Sequence, residues 1–243
     1  MPRSRLAFPL VALVAATACA TSTPYNPFKV PRESFYGSLK VVAVAPVRVP
    51  TDLENPEPVR ARYEQLVEAQ LREAGMTIVV PAEVGPMLDA KAAEVGGLFD
   101  PATGKADEAK MKKYHEACAV ELRSRFAADA LLRPDIRVVM ARLDHDQAKW
   151  DGMSENAGVG GFWKALLATH SGTIPALSFV ARLSDPDGNL LYAKGGGIGV
   201  LAQVNLKGES VPVAPATLFA SEERVVRSVH LALDPLVGRT EPK

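Results

Sequence analysis

The densest group of potential ligands in the chain is Asp144-His145-Asp146, with Asp151, Glu155 and His170 following in the same connection. Imidazole and carboxylate donors together suit a transition-metal site. Consecutive residues at the end of an extended strand, however, point to alternating sides. The three therefore read as polar residues at a strand exit, and no metal site is assigned. Gly197-Ile198-Gly199-Val200-Leu201-Ala202 matches the letters of a dinucleotide-binding turn, but that turn must open a helix. Gly208, Pro212 and Pro215 follow too closely for one, so the glycines read as a strand end or bulge. Asp100-Pro101-Ala102-Thr103-Gly104 lacks the spaced oxygens and closing glutamate of a calcium loop and is a turn. There is no G-x-S-x-G elbow and no phosphate loop. Cys118 falls on the apolar side of an expected helix, where a thiol stays protonated and inert. His115 and His230 read as packing residues in helices. The expectation is no catalytic residue and no cofactor.

Cys19 is the residue whose neighbours dictate a reaction upon it. Arg3 and Arg5 precede the apolar run of residues 6–16, and Ala16-Thr17-Ala18-Cys19 closes it with small residues. This is the pattern of a secretory signal over residues 1–18, and the run is shorter than the ~20 residues a spanning helix needs. Ala16-Thr17-Ala18-Cys19 resembles a bacterial lipobox, although lipoboxes more often carry Leu where Ala16 stands. The resemblance implies that Cys19 becomes the mature amino terminus and carries diacylglyceryl and acyl chains. An ordinary A-x-A peptidase site would cut the same bond and leave Cys19 bare. In lipoproteins, Ala20 rather than Asp after the cysteine implies the outer membrane, facing the periplasm. Each buried methylene adds about 0.8 kcal/mol, and more than one chain is needed for a stable anchor.

The totals narrow the class. Lys plus Arg equals Asp plus Glu at 28 each, which excludes the basic excess of a nucleic-acid binder. The only other cysteine is Cys118. With Cys19 acylated no intramolecular disulfide is available; with Cys19 bare, a Cys19–Cys118 bond is conceivable.

The elements come next. Residues 19–38, with several prolines and no apolar period, read as a lipidated tether reaching on the order of 60 Å. A single domain is expected over residues 39–238, with a polar tail at 239–243. Residues 40–47 (KVVAVAPV) read as a buried strand. A helix over 58–75 follows, with Val59, Tyr63, Leu66, Val67 and Leu71 on one face. Met76 to Val80 is a second strand, parallel to the first in a βαβ unit. Two helices follow, one over 81–96 and one capped by Asp107. A strand over 130–143 is interrupted at Pro134, with Ile136, Val138 and Met140 on its apolar face and Arg137, Val139 and Ala141 on a mixed one. Two strands flank the Asp185-Pro186-Asp187-Gly188 hairpin turn, and Ser221 caps a last helix. The fold class is α/β (α+β): a mixed β-sheet with helices packed on it, in the order β-α-β-α-α-β-β-β-α.

This order resembles the small domains of envelope lipoproteins of the curli-secretion and penicillin-binding-protein-activator types, and the amino-terminal domain of the Tol-Pal translocation protein. The resemblance rests on the lipobox, KVVAVAPV with its helix, Ala127-Ala128-Asp129-Ala130 leading into a strand, and residues 183–192. It implies a non-enzymatic adaptor or assembly subunit with an envelope protein partner, held to the membrane through Cys19. The alternative is a periplasmic ligand-binding or metal-dependent enzyme using the connection from Asp144 to His170. That connection also holds Trp150, Phe162 and Trp163 among glycines. These rings either dock a partner or cover a sheet edge.

Overall fold

The parallel end of the sheet is built on β1 (Val41–Val44), whose last three residues are buried. A computed structural model describes residues 25–144, 147–158, 171–204 and 210–238. β1 pairs in parallel with β2 (Thr77–Val79) on one side and with β3 (Ala130–Asp144) on the other. Strand periodicity sorts its side chains into two cores. Val42 and Val44 pack with Tyr63, Val67 and Leu71 of α2 (Pro56–Glu73). Ala43 and Ala45 pack with Val84 and Met87 of α3 (Pro81–Glu94) and Tyr114, Cys118 and Leu122 of α4 (Glu108–Ser124). Asp107 caps α4 by accepting from the Lys110 N–H at 3.1 Å. Asp129 secures the start of β1, its carboxylate accepting from both Lys40 and Val41 N–H groups at 2.8 Å.

The folded body begins earlier than the composition suggests. Phe28 and Phe35 are buried in the main core, the latter on α1 (Arg32–Ser38). Phe28 forms a bridge with Tyr192, while Lys29 N–H donates to Leu191 and the Pro27 carbonyl accepts from Ala193. The expected tether is thereby corrected: residues from about 26 onward add an edge to the sheet. Aromatic burial overrides the proline-rich composition there, with Phe28, Phe35 and Tyr192 meeting edge to face.

The antiparallel half is longer than expected. β3 runs unbroken through Pro134. The Leu132 and Pro134 carbonyls accept from Ala45 and Arg48, so the Pro134 nitrogen faces the stretch around Pro46 where β1 has ended, and no ladder bond is lost. β6 (Ser171–Ser184) pairs with β3 along its whole length, and β7 (Leu190–Val200) pairs with β6 across the expected hairpin turn. β7 carries the glycine run, which is therefore strand and not a dinucleotide turn. Part of the expected long connection after Asp144 is also strand: β4 (Gln147–Trp150) pairs with β3 and with β5 (Met153–Asn156). A two-stranded sheet, β8 (Ala202–Val204) with β9 (Ser210–Pro212), precedes α5 (Pro215–Phe219) and α6 (Glu222–Leu233). α6 covers the α2 side of β6 and β7 with Val225, Val229 and Leu233. Ser221 sits at its N-cap position but makes no side-chain cap bond.

The far end of the sheet curls until its edges meet. Gly197 N–H of β7 donates to the Asp151 carbonyl at 3.1 Å, and Val200 N–H donates to the Glu155 carboxylate at 3.1 Å. The concave side holds a third cluster of Ala141, Ala148, Trp150, Ala157, Ala176 and Val200. This curl inverts the expected polarity of β3. Ile136 is buried as anticipated, but Val138 and Met140 are 53% and 59% exposed, and Ala141 is the inward residue. Among the described residues no helix is long and apolar enough to cross a membrane.

One half-buried carboxylate in this frame gives a test. Glu64 of α2 accepts from the Val47 N–H at 3.0 Å. Burial, the larger influence, holds its carboxyl above the ordinary glutamate range, against the Val47 hydrogen bond and Arg60. A raised carboxyl value in the fold means that the ionised form costs stability at neutral pH, and that this cost fades as pH falls through the folded value. Glu64→Gln keeps an acceptor and removes the charge. Denaturant unfolding at pH 7 should find the variant at least as stable as the parent, with the difference shrinking towards pH 4; a less stable variant at pH 7 contradicts the account.

Candidate functional site

Where α3 and α4 give out, arginines populate the same sheet face, beginning with Arg133, which still faces Leu88 of α3 and Tyr114 of α4 across a groove. Arg133, Asp135 and Arg137 alternate along β3 and so share one side. The register sets Arg182 of β6 directly opposite Arg133, and Ser178 opposite Arg137. Arg48 joins the band through a bridge to Asp135. The Asp135 carboxylate, 13% exposed, accepts from Arg182 at 3.2 Å and lies 3.5 Å from Arg48. Arg133 donates to the Ser184 hydroxyl at 3.0 Å. Arg137 is exposed and makes no hydrogen bond or ion pair among the described residues. The band thus sets four guanidinium groups beside one carboxylate, which contacts two of them. Burial and then the neighbouring Arg137 hold Arg182 below its ordinary value, against the pull of Asp135.

The band opens into a groove of about 470 Å³ where β4 parts from β3 beyond the Arg142–Lys149 pair. Val180, Ala193 and Gly195 line it from the sheet, and Trp150 and Asp151 from the hairpin tip. Arg137, Arg142, Lys149 and Arg182 border it. Tyr25 stands at one end, its hydroxyl donating to the Ala193 carbonyl at 2.8 Å. The close seating of the hairpin tip explains the glycines beneath it: a Cβ at Gly195 would lie 2.5 Å from the Asp151 carboxyl carbon, and one at Gly197 2.7 Å from the Trp150 indole nitrogen.

The residues singled out by sequence are placed as follows. Trp150 is 8% exposed, and its indole N–H donates to the Leu177 carbonyl at 3.2 Å. It covers the sheet and offers little surface to a partner. Phe162 and Trp163 lie outside the described residues, as do Cys19, His145, Asp146 and His170. The three carboxylates expected beside those histidines are engaged elsewhere. Asp144 pairs with Lys149 at 3.0 Å, Asp151 accepts from the Ser178 hydroxyl at 2.6 Å, and Glu155 pairs with Arg224 at 2.7 Å. Among the described residues no three His, Cys, Asp or Glu side chains gather as a metal site would need. Cys118 is buried, and burial pushes its thiol up. His115 is exposed on α4, a correction to its reading as a packing residue, and His230 pairs with Asp234. The arginine band was not singled out, although its signal was present: Arg-x-Asp-x-Arg at residues 133–137 has the period of one strand face.

Neither a protein-family profile nor the sequence of a curated protein matches the chain. Three solved structures are similar in backbone path. One is lipoprotein GNA1162 from Neisseria meningitidis, at 15% identity and a TM-score of 0.33, over 74% of this chain and 90% of that one. Another is a PelC dodecamer from Paraburkholderia phytofirmans, at 15% identity and a TM-score of 0.35, over 83% and 91%. The third is a neuraminyllactose-binding hemagglutinin homolog from Helicobacter pylori, at 14% identity and a TM-score of 0.31, over 89% and 88%.

Proposed function

We propose that this chain is a lipid-anchored cell-envelope protein, held by acylated Cys19 in the outer membrane facing the periplasm, and acting there as a non-enzymatic adaptor or assembly subunit. The observation that carries the reading is the apolar run ending in Ala16-Thr17-Ala18-Cys19. The fold sharpens its consequence. Because Pro27 is already hydrogen-bonded to β7, the chain between Cys19 and the body spans less than about 30 Å even when fully extended. An anchored body is therefore kept at the bilayer surface and presents its remaining surface to an envelope partner, not to the bulk periplasm.

Mass spectrometry of the amino-terminal peptide from the membrane fraction should find Cys19 carrying diacylglyceryl and acyl chains. Cys19→Ser should move the protein from the membrane to the aqueous fraction. Cys118 is then the only free thiol, and a thiol reagent should label nothing until the protein is denatured, when it labels one site. A native chain that is unacylated and aqueous overturns the reading.

A further inference from the structure

The arginine band departs from how a sheet is ordinarily stabilised. Like charges placed directly across an antiparallel pair repel, yet Arg133 and Arg182 occupy such a pair, and Arg137 follows on the same face of β3, opposite Ser178. Asp135 serves Arg182 and Arg48 only, Arg133 has a neutral hydroxyl for a partner, and Arg137 has none among the described residues. A local rule broken with one carboxylate set against four guanidinium groups is the mark of a site completed by something else. The missing component is an anion, and the planar guanidinium fork matches phosphate oxygens in geometry as well as in charge.

The position of the groove says which anion. Tyr25, at its end, is only a few residues from Cys19, so the tether leaves the body at the groove and can span no more than about 20 Å from there. The groove therefore opens on the side from which the anchor departs. Its floor on the sheet is apolar below the cationic border, with Val180, Ala193 and Gly195, and the exposed Met140 stands at the rim; the one carboxylate in its wall, Asp151, is engaged by the Ser178 hydroxyl. Phosphate above and glycerol or acyl carbon below is the chemistry of a phospholipid. We propose that this groove binds the phosphate headgroup of an anionic phospholipid in the membrane to which the chain is tethered. Its geometry rests on the anchored reading above. Lipid-bound, the body stands in one orientation on the bilayer, with α2 and α6 on the opposite side of the sheet and turned away from the membrane.

The test uses the mature chain carrying Cys19→Ser, so that no acyl group contributes, with vesicles of phosphatidylcholine alone or mixed with phosphatidylglycerol. Binding should require phosphatidylglycerol. Arg137→Gln, at an exposed position without a partner among the described residues, should weaken it roughly fivefold, and Arg137→Gln with Arg182→Gln roughly 25-fold. Lys113→Gln, exposed on α4 outside the band, should leave it unchanged. Failure of the Cys19→Ser chain to distinguish the two vesicles overturns the proposal, as does an equal loss from Lys113→Gln and Arg137→Gln, which would reduce the effect to overall surface charge. Inorganic phosphate that competes as strongly at matched ionic strength as the lipid binds would identify free phosphate as the ligand and overturn the lipid assignment. Acylation is read separately, from the mass of the native amino-terminal peptide, so either idea can fail without the other.

Discussion

Gly196→Ala should cost the fold about 3 kcal/mol or more and lower its melting temperature by roughly 6–12 °C. A Cβ at this position of β7 would lie 1.9 Å from the Ser228 carbonyl oxygen, 2.8 Å from the carbon of that carbonyl, and 3.0 Å from Leu231 Cβ. The first two belong to the backbone of α6, which no rotamer change can move aside. The whole helix must lift. In lifting it uncovers Val225, Val229 and Leu233 and parts the Tyr63 and Ser228 hydroxyls, now 3.2 Å apart. Gly172→Ala, in β6 with nothing within 4 Å of the new carbon, is the matched control and should change stability by less than about 0.5 kcal/mol. Thermal and denaturant unfolding check both. A Gly196→Ala protein within 0.5 kcal/mol of the parent, by the same yardstick, would mean that α6 does not sit on β7 as described.

Gly196 also shows what the sequence could and could not reveal. A run of glycines in an extended segment announces that something approaches closely, but not what. Here three different partners do so: α6 over Gly196, the hairpin tip over Gly195 and Gly197, and Leu218 with Arg224 over Gly199. The parallel core was legible because its signals are local. Two apolar runs flank an amphipathic helix, and Gly75, at a φ of 82°, follows that helix where a side chain would be strained. The hairpin at Asp185-Pro186-Asp187-Gly188 was legible for the same reason. The β4–β5 hairpin was not, because its strands are short and polar and its Asp151-Gly152 turn lies among other glycines. Nor was the start of the body at Phe28, since an edge contact with Tyr192 leaves no period in the surrounding residues. The arginine band could be half seen: residues 133–137 alternate on their own, but Arg182 enters only through the register of β3 with β6.

Closure of the curled end depends on contacts even further apart in sequence, and the second large effect is expected there. Glu155 of β5 receives Arg224 of α6 through both guanidinium nitrogens, at 2.7 and 3.0 Å, and the Val200 N–H of β7 at 3.1 Å. The same Arg224 donates to the Ile198 carbonyl at 3.1 Å. One carboxylate thus joins the hairpin, the free edge of β7 and the covering helix. Its side chain is 15% exposed and that of Arg224 29%, so both charges are largely withdrawn from water. Removing one partner of a fully buried pair costs about 3–5 kcal/mol because the other is stranded; with this residual exposure, Glu155→Ala should cost about 2–3 kcal/mol. Arg224→Ala with Glu155→Ala should cost less than the sum of the two single changes, since neither charge is then left alone. The loss should also be local at first. Hydrogen exchange at the Gly197 and Val200 amides should accelerate before that of β1, which pairs with β2 and with residues 130–132 of β3, well away from the β4 contact at residues 142–144. Because Asp151 and Trp150 form the hairpin wall of the arginine groove, the same variant should weaken phosphatidylglycerol binding while every arginine remains in place. Full lipid binding together with fast Gly197 exchange would separate the groove from the clasp and show that the sheet face alone holds the headgroup.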